Sequence, residues 1–259
     1  MLDNRPDTVL VANAISVRFG GLDALANVSL AVPAGQIVGL IGPNGAGKTT
    51  MFNVLTGLQP TAHGQVSYMG QDISRWPAHR RGRAGMARTF QRLALFTRLT
   101  VHDNLVAAWE SSHPGGVLGR GRGRRRQRVQ EIMDLLDLWP LADRPAGELS
   151  TGQGRMVELG RALCTDPHLL LLDEPGSGLD AAETAAFSAV LRTVIAGTVA
   201  GSPAHPGILL VEHDMALVMD VCAALTVLDF GQVIAQGTPA EIRANDLVRA
   251  AYLGDAHVI

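Results

Sequence analysis

One turn constrains this chain more than any other stretch: Gly42-Pro43-Asn44-Gly45-Ala46-Gly47-Lys48-Thr49. It follows the apolar run Gln36 to Ile41, which reads as a buried strand, and precedes Thr50 to Thr56, which reads as the opening of a helix. Strand, G-x-x-x-x-G-K-[ST] loop and helix in that order make a phosphate cradle. The glycines let successive backbone N–H groups face an anion, and the helix N-terminus adds partial positive charge. Lys48 is expected to reach the β- and γ-phosphates of a nucleoside triphosphate, and the Thr49 hydroxyl to bind Mg²⁺. Of the 22 basic residues Lys48 is the only lysine; the other 21 are arginines. A chain that uses arginine everywhere else keeps a compact ammonium where a planar guanidinium would not fit between phosphates.

The length of 259 residues suits one large α/β domain, or a core carrying an inserted subdomain. Net charge is -2, so no overall field favours nucleic acid. The apolar runs fall far short of the roughly 20 residues that span a bilayer. Met1 to Asp7 is polar and acidic, unlike a signal peptide. Cys164 and Cys222 lie in apolar segments without metal-ligand spacing, so both are expected as buried free thiols.

Val9 to Val17 alternates in polarity and predicts an edge strand, and Asn27 to Val32 its returning partner. The hairpin delivers Phe19 to a loop tip, as a packed staple or as a stacking face for a purine. Gln65 to Met69 predicts a further strand. Residues 75–98 hold seven arginines and no acid, which ordinarily means a solvated face. Thr100 is a candidate N-cap. Ser111 to Gly123 reads as a loop running into Arg120 to Arg128, where six of nine residues are arginine. The apolar stripe from Val129 to Leu138 predicts a helix. Cations at a helix N-terminus do nothing for the helix, so this run contacts lipid headgroups, a partner or only solvent.

Ser150 is a natural N-cap for a helix reaching about Cys164. Leu169 to Leu172 is apolar on both faces, as a central parallel strand requires, and ends in Asp173-Glu174-Pro175. Paired carboxylates at the carboxyl end of such a strand sit where open α/β sheets bind ligands. Ile208 to Val211 ends likewise in Glu212-His213-Asp214, so His213 and Asp173 should share one edge of the sheet. Helices are expected over Ala181–Ala196, Pro239–Ala244 and Leu247–Leu253, with a small-residue loop over Gly197–Gly207 and a hairpin around Gly231.

This ordered set (Gly42 to Thr49, Gln91, Leu149 to Gln153, Leu172 to Pro175, Ser177 to Asp180 and His213) resembles the nucleotide-binding subunit of ATP-binding cassette (ABC) transporters from about Val9 to Gly254. The resemblance implies a P-loop NTPase core with a mostly parallel central sheet, an N-terminal antiparallel β-subdomain and an inserted α-helical subdomain. The whole chain, 1–259, would be one such domain, with its core at 1–91 and 166–259 and the helical part at approximately 92–165. ATP and Mg²⁺ are the implied ligands. Phe19 would stack on adenine, while Gly42, Pro43, Asn44, Gly45, Ala46, Gly47, Lys48, Thr49 and Thr50 would bind the phosphates. Thr49, Gln91 and, through water, Asp173 would ligand the metal. Glu174 would orient or deprotonate the attacking water, and His213 would contact the γ-phosphate. Ser150, Thr151, Gly152 and Gln153 would cap ATP on the opposite subunit of a head-to-tail dimer, with Asp180 beside them. Thr151 departs from a position that is often Gly in the family.

Gly85 to Gln91, Leu95 to Val101 and the ending Ala251-Tyr252-Leu253-Gly254 resemble the ATPases of branched-chain amino acid importers in particular. That implies a second ABC ATPase subunit, identical or paralogous, a transmembrane permease at the cytoplasmic face of the membrane, and an extracytoplasmic substrate-binding protein. Leu93, Leu95 and Phe96 would grip the permease. Urea or amide importers and a lipopolysaccharide exporter share the pattern. A cassette acting on nucleic acid would suit the arginine runs but commonly pairs two cassettes in one chain, and no nucleic-acid partner is expected. A GTPase would need an N-K-x-D motif, which a chain with one lysine cannot hold.

Overall fold

The computed structural model describes residues 8–113, 120–197 and 205–253. Met1 to Asp7, the middle of the Ser111–Gly123 segment, most of the Gly197–Gly207 loop and Gly254 lie outside them. In chain order the elements are β1 (Thr8–Phe19), β2 (Leu22–Pro33), β3 (Ile37–Ile41), α1 (Lys48–Thr56), β4 (His63–Tyr68), β5 (Gln71–Asp72), α2 (Ala78–Arg83), β6 (Met86–Arg88), α3 (Val101–Ser112) and α4 (Arg120–Leu135). There follow α5 (Thr151–Leu163), β7 (Leu169–Asp173), α6 (Ala181–Ile195), β8 (Gly207–Val211), α7 (Met215–Val221), β9 (Ala224–Asp229), β10 (Gln232–Gly237), α8 (Pro239–Ala244) and α9 (Asp246–Leu253).

Two sheets form. One is antiparallel, in the order β2-β1-β4-β5; the other runs β10-β9-β3-β8-β7-β6, parallel except where β10 returns beside β9. The central strands β3, β8 and β7 of the larger sheet are buried at every position because both its faces are covered there. Ile37, Ile41, Leu170, Leu172, Ile208 and Leu210 face a core shared with α3, α4, α5 and α6. The alternate residues Val38, Leu40, Leu169, Leu171, Leu209 and Val211 face α1 and the antiparallel sheet. Cys164 and Cys222 are buried free thiols, and burial pushes each up to about 12.

Three expectations need correction. β1 is an interior strand, flanked by β2 and β4. Its alternating polarity reports one solvated face, whereas edge position is a matter of backbone pairing that side chains do not reveal. The arginine run is also not loop up to its last turn: α4 is helical from Arg120. Arginine is a good helix former, and here it outweighs Gly121 and Gly123. Arg125 pairs with Glu110 of α3, and Arg128 is buried against Asp166 and the Leu163 carbonyl.

The run at 75–98 is likewise not solvated throughout. Arg81 is buried, and its guanidinium donates to the carbonyls of Val54 (2.8 Å), Leu55 (2.7 Å), Ile73 (2.8 Å) and Trp76 (3.0 Å). It thereby closes the C-terminal end of α1, the helix that begins at Lys48. Arg81→Met should lower the unfolding free energy by about 2–4 kcal/mol, since several buried carbonyls lose their donor. Denaturant titration measures this, and a loss below about 1 kcal/mol would refute the capping role.

Candidate nucleotide site

The phosphate loop connects β3 to α1 and keeps its shape through two glycines. Gly42 has φ 149° and Gly47 φ 104°. A Cβ at Gly42 would collide with the Leu228 carbonyl, and one at Gly47 would lie 2.8 Å from the Ala24 carbonyl oxygen. Lys48 is buried at the first position of α1, and its ammonium donates across the loop to the carbonyls of Gly42 (2.6 Å) and Pro43 (2.9 Å). Thr49 and Thr50 follow in the first turn, which carries no acid to compete with a phosphate. Phe19 is exposed at the tip of the β1–β2 hairpin, whose Ala24 and Leu25 pack against Gly47.

Parallel pairing of β7 with β8 carries Asp173 and Glu174 to the same edge as His213. Asp173 is buried, and one of its oxygens takes the Arg88 guanidinium at 2.9 Å. Arg88 also donates to Asn53 (3.0 Å) and Thr56 (3.3 Å) of α1, so it ties the carboxylate to the helix that follows the phosphate loop. Glu174 adopts φ 48°, a left-handed conformation that is strained for a side-chain-bearing residue, and its N–H donates to the Val211 carbonyl at 2.8 Å. Its Oε2 accepts from the Gln91 amide at 3.0 Å and lies 3.9 Å from His213 Nδ1. Two residues from separate segments, Gln91 and His213, thus converge on one carboxylate oxygen of Glu174.

Ser150, Thr151, Gly152 and Gln153 lie elsewhere, against Gly178 and Glu183. Ser150 N-caps α5 in a capping box with Gln153, each bond 3.2 Å. Thr151 Cγ2 comes within 3.0 Å of where a Gly178 Cβ would lie, and a Cβ on Gly152 would strike the Glu183 carboxylate. Asp180 caps α6, accepting from the Glu183 N–H at 2.8 Å.

Four residues missed in the sequence support these segments. Glu212 is buried beside His213; it accepts from the N–H groups of Gly176 (2.5 Å), His213 (3.0 Å) and Asp214 (3.4 Å). Burial pushes its carboxyl above the ordinary range despite these bonds. It links the turn after Glu174 to the histidine segment. Arg155 and Glu158, a buried pair at 3.0 Å on α5, hold the loop that carries Gln91. Arg155 donates to the carbonyls of Phe90 (3.0 Å) and Gln91 (2.7 Å), while Glu158 accepts from the N–H groups of Phe90 (3.4 Å) and Ala94 (3.3 Å). Asn104, fully buried, exchanges hydrogen bonds with both backbone groups of Phe96. The only cue in the sequence is a charged or amide residue on a helix face or strand end that is otherwise apolar. Beside this loop runs a groove of about 390 Å³ lined by Arg83, Phe90, Ala94, Ser112 and Arg161, and Phe96 stands exposed next to it under the Arg161 guanidinium.

A glycine loop holding a buried lysine, next to carboxylates on a parallel sheet edge, defines a nucleotide-hydrolysing cassette. Comparison with known proteins carries this further. Residues 25–177 match the ABC transporter family model, and residues 232–258 match the model for branched-chain amino acid ATP-binding cassette transporters. The chain belongs to the ABC transporter family, and it is an ATPase of that family. It is 37% identical over 257 residues to the high-affinity branched-chain amino acid transport ATP-binding protein BraF of Pseudomonas aeruginosa, covering 96% of this chain and 98% of that protein. Identity to LivG of Escherichia coli K12, a protein of the same description, is 36% with the same coverage. The lipopolysaccharide export ATP-binding protein LptB of Haemophilus influenzae is 32% identical, again over 96% and 98% of the two chains. The ATP-binding cassette MJ1267 in its ADP conformation superposes with a TM-score of 0.79 at 30% identity, covering 95% of this chain and 99% of that one.

Glu212→Gln keeps the shape of the side chain but weakens its hold on three N–H groups. Turnover of ATP should fall about tenfold, given ~1.5 kcal/mol or more for a hydrogen bond to a charged acceptor, while nucleotide affinity stays as in wild type. Steady-state kinetics with nucleotide-binding titration separates the two, and an unchanged kcat would remove Glu212 from the site's support.

Proposed function

We propose that this chain powers the import of branched-chain amino acids, hydrolysing ATP on the cytoplasmic face of a membrane for a separate permease. The convergence of Gln91 and His213 on Glu174 Oε2, on the sheet edge shared with the phosphate loop, is the observation that carries the hydrolytic reading. The cargo reading is supported by the C-terminal family match and by the BraF and LivG relatives; the exporter LptB is less similar. Among the described residues no helix is long and apolar enough to cross a membrane, in keeping with a subunit that works through another. An extracytoplasmic binding protein would deliver the cargo.

Lys48 and the loop amides hold the β- and γ-phosphates, with Phe19 against the adenine. Thr49, the Gln91 amide oxygen and, through water, Asp173 would hold Mg²⁺; all are hard oxygen donors, the set this ion takes. When bound, the ion neutralises charge on the phosphates. Arg88 fixes Asp173 so that one oxygen stays turned from the guanidinium. Glu174 takes the proton of the attacking water or orients it, with Gln91 and His213 flanking the carboxylate. The strained backbone at Glu174 presents the side chain beyond the strand end. Ser150 and Gly152 donate to the triphosphate on a second, head-to-tail ATPase subunit, aided by the N-terminus of α5. The division into a core (1–91 and 166–259) and a helical arm (about 92–165) follows from the same reading: the arm carries Ser150 and meets the permease.

Glu174→Gln should slow hydrolysis by at least about a hundredfold, the usual contribution of a general base, and accumulate an ATP-bound dimer on gel filtration. Hydrolysis at the wild-type rate, or turnover by a species that stays monomeric at every concentration, would overturn the mechanism. Phe96→Asp should abolish transport in reconstituted vesicles and leave the ATPase rate of the isolated subunit unchanged; transport at the wild-type rate would move the permease contact elsewhere.

A further inference from the structure

Helices α7, α8 and α9 enclose a cavity of about 320 Å³ that is lined by none of the residues placed in the nucleotide site. Met215, Met219, Ile242, Val248 and Tyr252 give it apolar walls. Ile242, Val248 and Tyr252 are buried, and the two methionines are half-buried. The volume lies near the lower end of the roughly 300–1,000 Å³ of ligand sites, which suits a small metabolite rather than a long lipid chain. Methionine suits such a wall, because its unbranched chain adapts to irregular shapes.

The charged groups of this cavity have one sign. Arg243 and Arg249 line it from exposed positions, and among the described residues its lining holds no acid. Arg249 also pairs with Asp246, an exposed contact one turn away that contributes little. An apolar interior edged by guanidinium groups matches an aliphatic chain that ends in a carboxylate. An ammonium on the same ligand would find no counter-charge and would face two cations. Ile242, Arg243, Val248, Arg249 and Tyr252 all fall within 232–258, the stretch that matches the branched-chain transporter model. The part of the chain that carries the branched-chain match thus supplies most of the walls, which favours a branched aliphatic chain.

The cavity also adjoins the hydrolytic site. Asp214 caps α7, accepting from the N–H groups of Ala216 (2.8 Å) and Leu217 (3.2 Å), while Glu212 accepts from those of His213 and Asp214. Met215 and Ala216 line the cavity, so a ligand there packs against the first turn of the helix that follows His213.

We propose that this cavity binds a short, branched aliphatic carboxylate without an ammonium group, and that its occupancy slows ATP hydrolysis by holding α7, and with it His213, in one position. The link between branching and cargo rests on the transporter reading above. The carboxylate and the exclusion of an ammonium group rest on the lining alone.

The test is isothermal titration calorimetry of the full chain with isocaproate, with its neutral amide and with leucine, which has the same carbon skeleton plus an ammonium group. Isocaproate should bind, and the amide and leucine should each bind at least about tenfold more weakly, the effect of losing one charge-assisted hydrogen bond. The variant Arg243→Gln/Arg249→Gln should lose affinity for isocaproate by a similar factor. Its ATPase rate without ligand should equal that of wild type, which shows the variant folded. Saturating isocaproate should lower the wild-type ATPase rate, and the variant should need correspondingly more of it. No binding of isocaproate, leucine or the amide binding as tightly, equal affinity in the variant, or a wild-type rate unchanged at saturation each overturns the proposal. Failure of the transporter reading shows up separately, as a reconstituted complex that takes up no branched-chain amino acid, and calorimetry on the isolated chain does not depend on it.

Discussion

Parallel pairing of β3, β8 and β7 is the constraint from which the site follows. Leu40 pairs with Val211, and Val211 with Asp173, so three strands reach one edge within a residue of each other. Each then leaves the sheet carrying a different group: the phosphate loop after Ile41, the carboxylates at 173 and 174, and the histidine at 213. None of the three segments has a stable shape of its own. The phosphate loop is formed by glycine backbone, Glu174 is held in a strained conformation, and His213 projects into solvent from a turn fastened by Glu212. A slip of register by one residue would turn every apolar side chain of a strand to the opposite face. Burial on both faces of the sheet therefore fixes the catalytic geometry indirectly, by fixing where strands end.

Much of this was legible in the residues. The apolar runs before Gly42, Asp173 and Glu212 announced central strands, because a strand covered on both faces has nowhere to put a polar side chain. Thr100, Ser150 and the hairpin at Gly231 were read from local chemistry that operates over three or four residues, and the structure agrees. What could not be read were the long-range partners. Arg88 meets Asp173 across 85 residues and Arg155 meets Gln91 across 64. Within a run of arginines, nothing local distinguishes a guanidinium that enters the core from one that stays in water. The same gap explains β1, whose neighbours on either side are a matter of topology rather than of its own pattern.

The arginines illustrate how one residue type serves unlike ends. At Arg81 and Arg155 the guanidinium is used as a bundle of donors aimed at main-chain carbonyls, which a lysine could satisfy only in part. At Arg88 it is an electrostatic brace on a carboxylate. On α4, Arg125 and Arg128 pair with acids of neighbouring segments, Glu110 and Asp166. Lys48 stands apart from all of these as the one site where a small, mobile cation is required.

The pair Arg155–Glu158 has a consequence for timing. Because α5 grips the main chain on either side of Gln91, the segment proposed to meet the permease cannot shift while the helix behind it stays still. In the proposed head-to-tail assembly the front of that helix belongs to the neighbour's nucleotide, whereas Gln91 belongs to the chain's own. A push arriving from the membrane would therefore be felt in both chambers in the same stroke, and the two ATP molecules would answer to one movement rather than take turns.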